Sequence, residues 1–202
     1  MQLRANPCLC SSDLSGNLMF TLGLDGKEET QTLLQSGCSY CLVVRSESQR
    51  AALLAHLCGQ PHAVIVPHNG GLISNLSVWE NIALPVQYHA LALAGTLEEN
   101  VCRLLLQCGL TDETTVSALL FSSPDQLSLL EKRLAGFVRA MLMRPELIIY
   151  DALNEGLSRK ELARMAQFDR IFRLYFPLGT SVLVSFDEYR DKENPEQVVI
   201  QL

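Results

Sequence analysis

The sequence has no run of about 20 uninterrupted apolar residues, the length that a helix needs to cross a bilayer. Its first ten residues, MQLRANPCLC, contain no apolar core of the kind found in a signal peptide. These two absences predict a protein that stays in the cytoplasm. Basic residues are also scarce, since 16 Lys and Arg stand against 22 Asp and Glu. We expect no nucleic-acid partner, because broad phosphate-binding surfaces need clustered Lys and Arg.

Seven cysteines are present, but their spacing completes no metal site. Two close pairs, Cys8 with Cys10 and Cys38 with Cys41, have no second pair or nearby His to supply further ligands. The second pair lies in an apolar run that is typical of a buried strand. Residues three apart in a strand point to opposite faces, so these two thiols should not share a ligand. We therefore predict reduced thiols and no bound metal.

The apolar pattern predicts an α/β fold in which strands alternate with helices. Helical spacing occurs in stretches that begin near Leu53, Val101 and Leu162. Alternation of this kind implies a mainly parallel sheet with helices on both faces. Six short apolar runs have the length and composition of strands. They are Leu18–Leu24, Cys38–Val44, Ala63–Val66, Leu147–Tyr150, Ser181–Val184 and Gln197–Leu202.

One section of the chain breaks this alternation. Residues 76–143 show almost no strand pattern and resemble several helices joined by turn-forming Pro, Gly and Ser residues. We predict one domain over residues 1–202. Its α/β core would be formed by residues 17–75 and 144–202, with residues 76–143 inserted as a helical subdomain.

Three degraded motifs follow one another in the order that one ATPase family uses. Residues 145–158, PELIIYDALNEGLS, resemble the Walker B strand and D-loop of ATP-binding-cassette (ABC) ATPases. Residues 124–140 resemble the signature segment and its helix, and residues 66–85 resemble the Q-loop and the start of the helical subdomain. Such colinear order is harder to obtain by chance than any single motif. The resemblance covers residues 17–202 and implies a P-loop-NTPase-like fold. Within the family it is nearest to the ATPases of mammalian-cell-entry (Mla-type) lipid transporters.

The phosphate-binding loop of that family is degraded in this chain. A working loop has the form G-x-x-x-x-G-K-[ST], and its glycines let backbone N–H groups close on phosphate. Here Val44 and Gln49 stand at the glycine positions, Arg50 at the Lys position and Ala51 at the magnesium-binding hydroxyl. Side chains at the glycine positions should prevent the loop from wrapping a triphosphate. The same segment fits a helix N-cap built from Ser46 and Gln49, and a residual phosphate site is the alternative.

The other catalytic positions of the family are changed as well. Asp151 keeps the Walker B carboxylate, but Ala152 replaces the catalytic Glu, Phe186 the switch His and His68 the Q-loop Gln. Ala and Phe can neither orient an attacking water nor carry a proton. Ser128 of the signature remains, while the two Leu residues after it replace glycines and would crowd a partner subunit's nucleotide. The resemblance thus implies a pseudo-ATPase with no catalytic residue and no ATP or Mg²⁺ cofactor.

The segment after the Q-loop-like residues keeps an apolar character. In the family, this region and the helical subdomain form a groove that receives a short cytoplasmic helix of a membrane permease. Apolar anchors beside a pair of glycines suit such a helix, although the same residues could instead form the subdomain core. The candidate anchors are Leu72, Ile73, Leu76, Val78 and Trp79.

These observations lead to three hypotheses. The first is a non-catalytic subunit on the inner face of the membrane, docked on an integral permease of a bacterial lipid transport system. The second is an ABC subunit that keeps weak ATP binding or hydrolysis through Arg50 and Asp151. The third is a soluble interaction protein with an ABC-like fold. Pairing into a homodimer, or a heterodimer with another ABC ATPase, is left open by the sequence.

Overall fold

A computed structural model describes residues 18–22, 30–91, 93–187 and 197–202, with side chains described from residue 34 onward. The pair Cys8/Cys10 and residues 23 and 24 of the first predicted strand lie outside these ranges. The strands are β1 (Leu18–Leu22), β2 (Thr30–Leu34), β3 (Ser39–Val43), β4 (Ala63–Val66), β5 (Leu147–Asp151), β6 (Thr180–Ser185) and β7 (Val198–Gln201). The α-helices are α1 (Glu47–Cys58), α2 (Val78–Tyr88), α3 (Leu97–Gln107), α4 (Glu113–Phe121), α5 (Leu129–Leu142) and α6 (Arg159–Tyr175).

Five parallel strands form the central sheet, in the order β4–β5–β6–β3–β7. Val184 of β6 lies opposite Leu42 of β3 on one side and Asp151 of β5 on the other. The segments that follow β3, β5 and β6 therefore meet at one edge of the sheet. Strands β1 and β2 pair antiparallel as a separate two-stranded sheet. We did not predict β2, because the sequence TQTLL has too short an apolar run to mark a strand.

Helices cover both faces of the sheet, which confirms the predicted fold class. On one face, Leu53 and Leu57 of α1 are fully buried against the sheet. On the other face, α2 to α6 enclose a larger core in which the rings of Phe137 and Phe168 stack at 4.5 Å. Fully burying a large apolar side chain stabilises the fold by roughly 1.5–3 kcal/mol. The two apolar layers therefore hold the sheet between them.

The two thiols of the pair Cys38 and Cys41 belong to different cores. Cys38 packs with the α1 side of the sheet, whereas Cys41 is buried in the core on the other side. The predicted placement on opposite faces is therefore confirmed. Burial raises the pKa of a third thiol, that of Cys108, to about 12. That thiol is accordingly held in its neutral form.

Between β4 and β5, the described residues form helices and no strand. Each α-helix of this section begins at a capping side chain that accepts the N3 backbone N–H, namely Ser77, Thr96, Asp112 or Ser128. Such caps satisfy backbone donors that a helix start would otherwise leave without a partner. No helix within the described residues is both long and apolar enough to span a bilayer. The boundaries of a core and a helical subdomain stay a prediction.

Two glycines allow the loop after β4 to lie directly on α5. A Cβ atom at Gly70, whose φ is +79°, would stand 2.1 Å from the carbonyl oxygen of Lys132. A Cβ atom at Gly136 would stand 2.5 Å from the carbonyl oxygen of Gly70. Real side chains do not approach backbone atoms this closely, so any side chain at either position would push the loop and the helix apart.

Two arginines of α5 fasten the same loop with hydrogen bonds. Arg133 is only 2% exposed, and it donates from Nε to the His68 carbonyl (2.6 Å) and from Nη1 to the Leu153 carbonyl (2.7 Å). Arg139 donates from Nη1 to the carbonyl of Gly71 (2.8 Å). Helix α5 is thereby connected to the loops that follow both β4 and β5.

Candidate functional site

The carboxyl ends of β3, β5 and β6 bring residues that are distant in sequence to one edge of the sheet. Val44, which follows β3, donates its backbone N–H to the Ser185 carbonyl at 2.9 Å. Ala152, which follows β5, donates to the Val184 carbonyl at 2.8 Å. In open α/β sheets, this edge is where ligands generally bind. The side chains gathered here form the candidate site.

An ion pair between Arg50 and Asp151 occupies the centre of the site. Arg50 Nε donates to Asp151 Oδ1 (2.7 Å), and Nη2 donates to Oδ2 (2.8 Å). The two side chains are 14% and 7% exposed, and Glu47 accepts a further bond from Arg50 Nη1. Burial lowers the pKa of Arg50, but hydrogen bonds and charge from Asp151 and Glu47 outweigh it and raise the pKa. The guanidinium is therefore charged and has two carboxylate partners within the chain.

Two further predicted positions lie against this ion pair. The ring of Phe186 lies 5.9 Å from Arg50 Cζ, within the range of a cation–π contact worth about 0.5–1 kcal/mol. His68 Nδ1 lies 3.8 Å from Asp151 Oδ2, and the His68 side chain is 57% exposed at the rim of the site. The structure therefore brings together Arg50, Asp151, Phe186 and His68, to which the motif resemblance assigned the Lys, Walker B, switch and Q-loop positions.

At the N-terminus of α1, nearby side chains accept hydrogen bonds from backbone N–H groups. Ser46 Oγ accepts the Gln49 backbone N–H at 3.2 Å, as the predicted cap requires. The return bond differs from the prediction, because Gln49 Oε1 accepts the N–H of Arg45 (2.7 Å) rather than that of Ser46. Val44 is 1% and Gln49 3% exposed, so both side chains are built into the core. Ala51 is exposed and offers no hydroxyl.

Ala152 has a left-handed backbone that a residue with a Cβ atom adopts reluctantly. Its φ is +51°, and the side chain is 1% exposed. Its carbonyl accepts the backbone N–H of Glu155 at 3.1 Å, which closes a tight turn after β5. A methyl group buried in this turn can neither bind nor activate water. Ala152, which the motif resemblance assigned to the position of the catalytic Glu, thus lies at an apolar corner.

The signature-like segment forms a complete helix cap. Ser128 Oγ donates to Glu131 Oε2 at 2.7 Å and accepts the Glu131 backbone N–H at 3.3 Å. Leu130 is 6% exposed and faces the interior, so our expectation that both Leu residues crowd a partner's nucleotide is wrong for Leu130. Leu129 is half-buried and lies beside Gly156. Of these two Leu residues, only Leu129 has a partly exposed side chain.

The predicted docking residues divide between core and surface. Val78 is fully buried, so the prediction that it contacts a partner is wrong. Leu72 and Trp79 are partly buried against the same core, and Leu76 is half-buried. Ile73 is 45% exposed. Asn81, which is 1% exposed, fixes the loop before α2 by exchanging hydrogen bonds with the Ile73 backbone.

An open groove of about 530 Å³ lies between the edge strand β4, α2 and α5. Ile73, Leu84 and Tyr88 line it and are 45%, 44% and 83% exposed. We did not predict Leu84 and Tyr88 as docking residues. The sequence could have indicated them, because they are apolar, lie four residues apart on α2 and are not on the face that Ile82 and Val86 bury.

No protein-family model matches the sequence, and no curated protein sequence matches it either. The structure nevertheless has the fold of ABC-transporter ATP-binding domains, a P-loop-NTPase-like α/β architecture. One similar structure is CbiO1 from Clostridium perfringens, part of the ABC transporter complex CbiONQ. It is 14% identical, with a TM-score of 0.61 over 79% of this chain and 71% of that chain.

A second similar structure is that of the ATP-binding cassette MJ0796, solved as a dimer in a post-hydrolysis state with ADP and Pi bound. It is 17% identical, with a TM-score of 0.60 over 84% of this chain and 85% of that chain. At these identities the likeness establishes the fold alone, because one fold can carry many functions. Function must therefore be argued from the residues of the site.

Proposed function

We propose that this chain is a non-catalytic ABC ATPase-like subunit that docks on a membrane permease. The observation that carries the proposal is the ion pair between Arg50 and Asp151. In an ABC ATPase, the residues at these two positions serve the phosphates and the magnesium ion. Here they bind each other. Their charges are therefore already compensated before any nucleotide arrives.

A nucleotide would have to displace this pair. Leaving one charge of a nearly buried ion pair without a partner typically costs about 3–5 kcal/mol, so a nucleotide would have to offset a cost of that kind with new contacts to both charges. Glu47, adjacent to Arg50, would also repel the negative charge of a triphosphate. The side chains of Val44 and Gln49 are buried at the positions where the family has glycine. These features support a site that does not hold ATP.

Hydrolysis would lack its proton-transfer groups even if nucleotide entered. A positioned general acid or base typically contributes 10²- to 10⁴-fold to a rate, on the order of several kcal/mol. The positions of the catalytic Glu and the switch His carry Ala152 and Phe186, and neither side chain can transfer a proton. This supports a subunit without ATPase activity.

The groove beside β4 supports the docking part of the proposal. Its exposed apolar side chains, Ile73, Leu84 and Tyr88, suit the apolar face of a short helix from a partner. We place that partner in the membrane, as an integral permease reached from the cytoplasmic face. The motif resemblance favours a bacterial lipid transport system. It also leaves room for a homodimer or a heterodimer with an active ABC ATPase.

Titration calorimetry of the purified chain tests the nucleotide part of the proposal. We expect no heat of binding up to about 1 mM Mg-ATP. A dissociation constant of that size corresponds to a binding free energy of only about −4 kcal/mol. An active ABC ATPase run in parallel provides the positive control. Saturable heat that Asp151→Asn removes would favour the weakly ATP-binding subunit instead. Mg-ATP hydrolysis abolished by the same substitution would overturn the proposal.

Site-specific photo-crosslinking in cells tests the docking part. A photoreactive amino acid placed at Tyr88 should crosslink to an integral membrane protein. The matched control is Leu178, which is 81% exposed, against 83% for Tyr88, and does not line the groove. Crosslinks from Tyr88 to soluble proteins alone would support an interaction protein that has left the membrane. Equal crosslinking to one membrane protein from both positions would argue against the groove as the docking surface.

A further inference from the structure

A small cavity lies between the central sheet and α6, apart from the candidate site and the groove. Its volume is about 30 Å³, and β3, β5, β6 and α6 all contribute to its lining. Tyr150 and Ser181 supply hydroxyl groups to this lining, and Met165, Phe168 and Leu183 supply apolar surface. The cavity therefore combines apolar walls with these two hydroxyls and with the polar side chains of Ser39, Tyr40, Asp169 and Gln197.

Neither hydroxyl has a hydrogen-bond partner among the described residues. Tyr150 Oη and Ser181 Oγ each expose less than 1 Å², and the two residues are 6% and 1% exposed. Buried hydroxyls are rarely left without a partner, because they lose hydrogen bonds to bulk water and gain none in return. A ligand that can both donate and accept hydrogen bonds would satisfy both oxygens.

The register of the sheet places these two residues on one face of adjacent strands. Ser181 lies opposite Ile148, two residues before Tyr150 on β5. Tyr150 and Ser181 are thus diagonal neighbours, an arrangement that leaves more space between side chains than directly opposite residues have. The space between them is where a bridging molecule would sit.

The size of the cavity suits water. About 10–15 Å³ suffices for one water molecule by the same kind of volume, so this cavity has room for two or three waters. Burial, and then the nearby charge of Asp169, raises the pKa of Tyr150 well above its ordinary value. The Tyr150 hydroxyl accordingly keeps its proton and can both donate to a water and accept from it.

We infer that this cavity is a binding site for ordered water that bridges Tyr150 Oη and Ser181 Oγ and so ties β5 to β6 beneath α6. The inference is independent of the proposed function, because it depends only on the packing of the fold. It also predicts the sign of a stability change. Removing an unsatisfied hydroxyl should stabilise the protein, whereas removing one that binds water should destabilise it.

The variant Tyr150→Phe, unfolded with urea, provides the test. We expect its unfolding equilibrium constant to rise by about 2- to 10-fold, the effect of losing one hydrogen bond. Tyr88→Phe is the matched control, because the Tyr88 side chain is 83% exposed and should show no change. An unchanged or lower constant for Tyr150→Phe would mean that its hydroxyl binds nothing.

A double-mutant cycle with Ser181→Ala then tests the bridge itself. The fold-change of the double variant should be smaller than the product of the two single fold-changes, because both oxygens share one water. Multiplicative effects would overturn the inference. A high-resolution crystal structure should show a density peak within about 3.2 Å of both oxygens. An empty cavity, or a direct bond between Oη and Oγ, would also overturn it.

Discussion

The candidate site, at the edge formed by the carboxyl ends of β3, β5 and β6, differs from the groove beside β4 in how its side chains are paired. At the edge, Arg50 and Asp151 are nearly buried and bind each other. In the groove, Leu84 is 44% and Tyr88 83% exposed. A ligand at the edge must compete with contacts that the chain already makes, whereas a ligand in the groove would add contacts. Exposed apolar patches mark interaction sites, whereas an ion pair that is satisfied within the chain has its charges already compensated.

The largest expected effect concerns the loop that joins these two regions. Gly70→Ala should lower the free energy of unfolding by about 3 kcal/mol or more, because it adds overpacking to a strained backbone. The added Cβ would lie 2.1 Å from a carbonyl oxygen at a φ of +79°. Urea denaturation measures the loss. Gly59→Ala is the control, since its φ is −76° and its closest contact 3.4 Å. Similar losses for both variants would mean that the crossing at Gly70 is not tight.

The ion pair should contribute the next largest effect. Asp151→Ala leaves the Arg50 guanidinium with one exposed carboxylate partner, and we expect a loss of about 2–4 kcal/mol in unfolding free energy. Glu47→Ala removes that other partner, whose side chain is 70% exposed, and should cost about 0.5 kcal/mol or less. Adding Arg50→Met to Asp151→Ala should recover part of the loss. If Asp151→Ala lowered the unfolding free energy as little as Glu47→Ala, the Arg50–Asp151 ion pair would not stabilise the fold.

The cap of α1 should contribute a smaller amount. Ser46→Ala removes the acceptor for the Gln49 N–H and should cost about 1 kcal/mol. Ser117→Ala, at an exposed position inside α4, makes the same chemical change without a cap. It should be neutral or slightly stabilising, because Ala is the better helix former. Thermal unfolding of the two variants separates a cap from a solvent-exposed serine. Equal effects would mean that Ser46 does not cap α1.

The groove should show the smallest effect on stability. Leu84→Ser and Tyr88→Ser each replace an exposed side chain, so we expect changes of about 1 kcal/mol or less. Their effect should appear instead in co-purification with a membrane partner, which both substitutions should weaken. Losses of stability above about 2 kcal/mol would place these side chains in the core. The contrast between the two regions would then disappear.

The sequence predicted the sheet well and the site only in part. Strands β3, β5 and β6 are buried at every position, so their apolar runs are distinct, whereas β2 has no such run. The contact between Arg50 and Asp151 spans 101 positions and depends on strand order, which local patterns do not contain. Val78 was misassigned because core residues and docking anchors have the same composition. Only the direction of a side chain distinguishes them.

The crossing of Gly70 over Gly136, together with the bonds from Arg133 and Arg139, has a mechanical consequence. The loop after β4, which runs from the candidate site to the groove, cannot move independently of α5. Tilting α5 would break all of these contacts at the same time. A membrane protein seated in the groove would be held at one angle to the sheet. Such a subunit would fix the orientation of its partner and would not supply energy to the assembly by hydrolysing ATP.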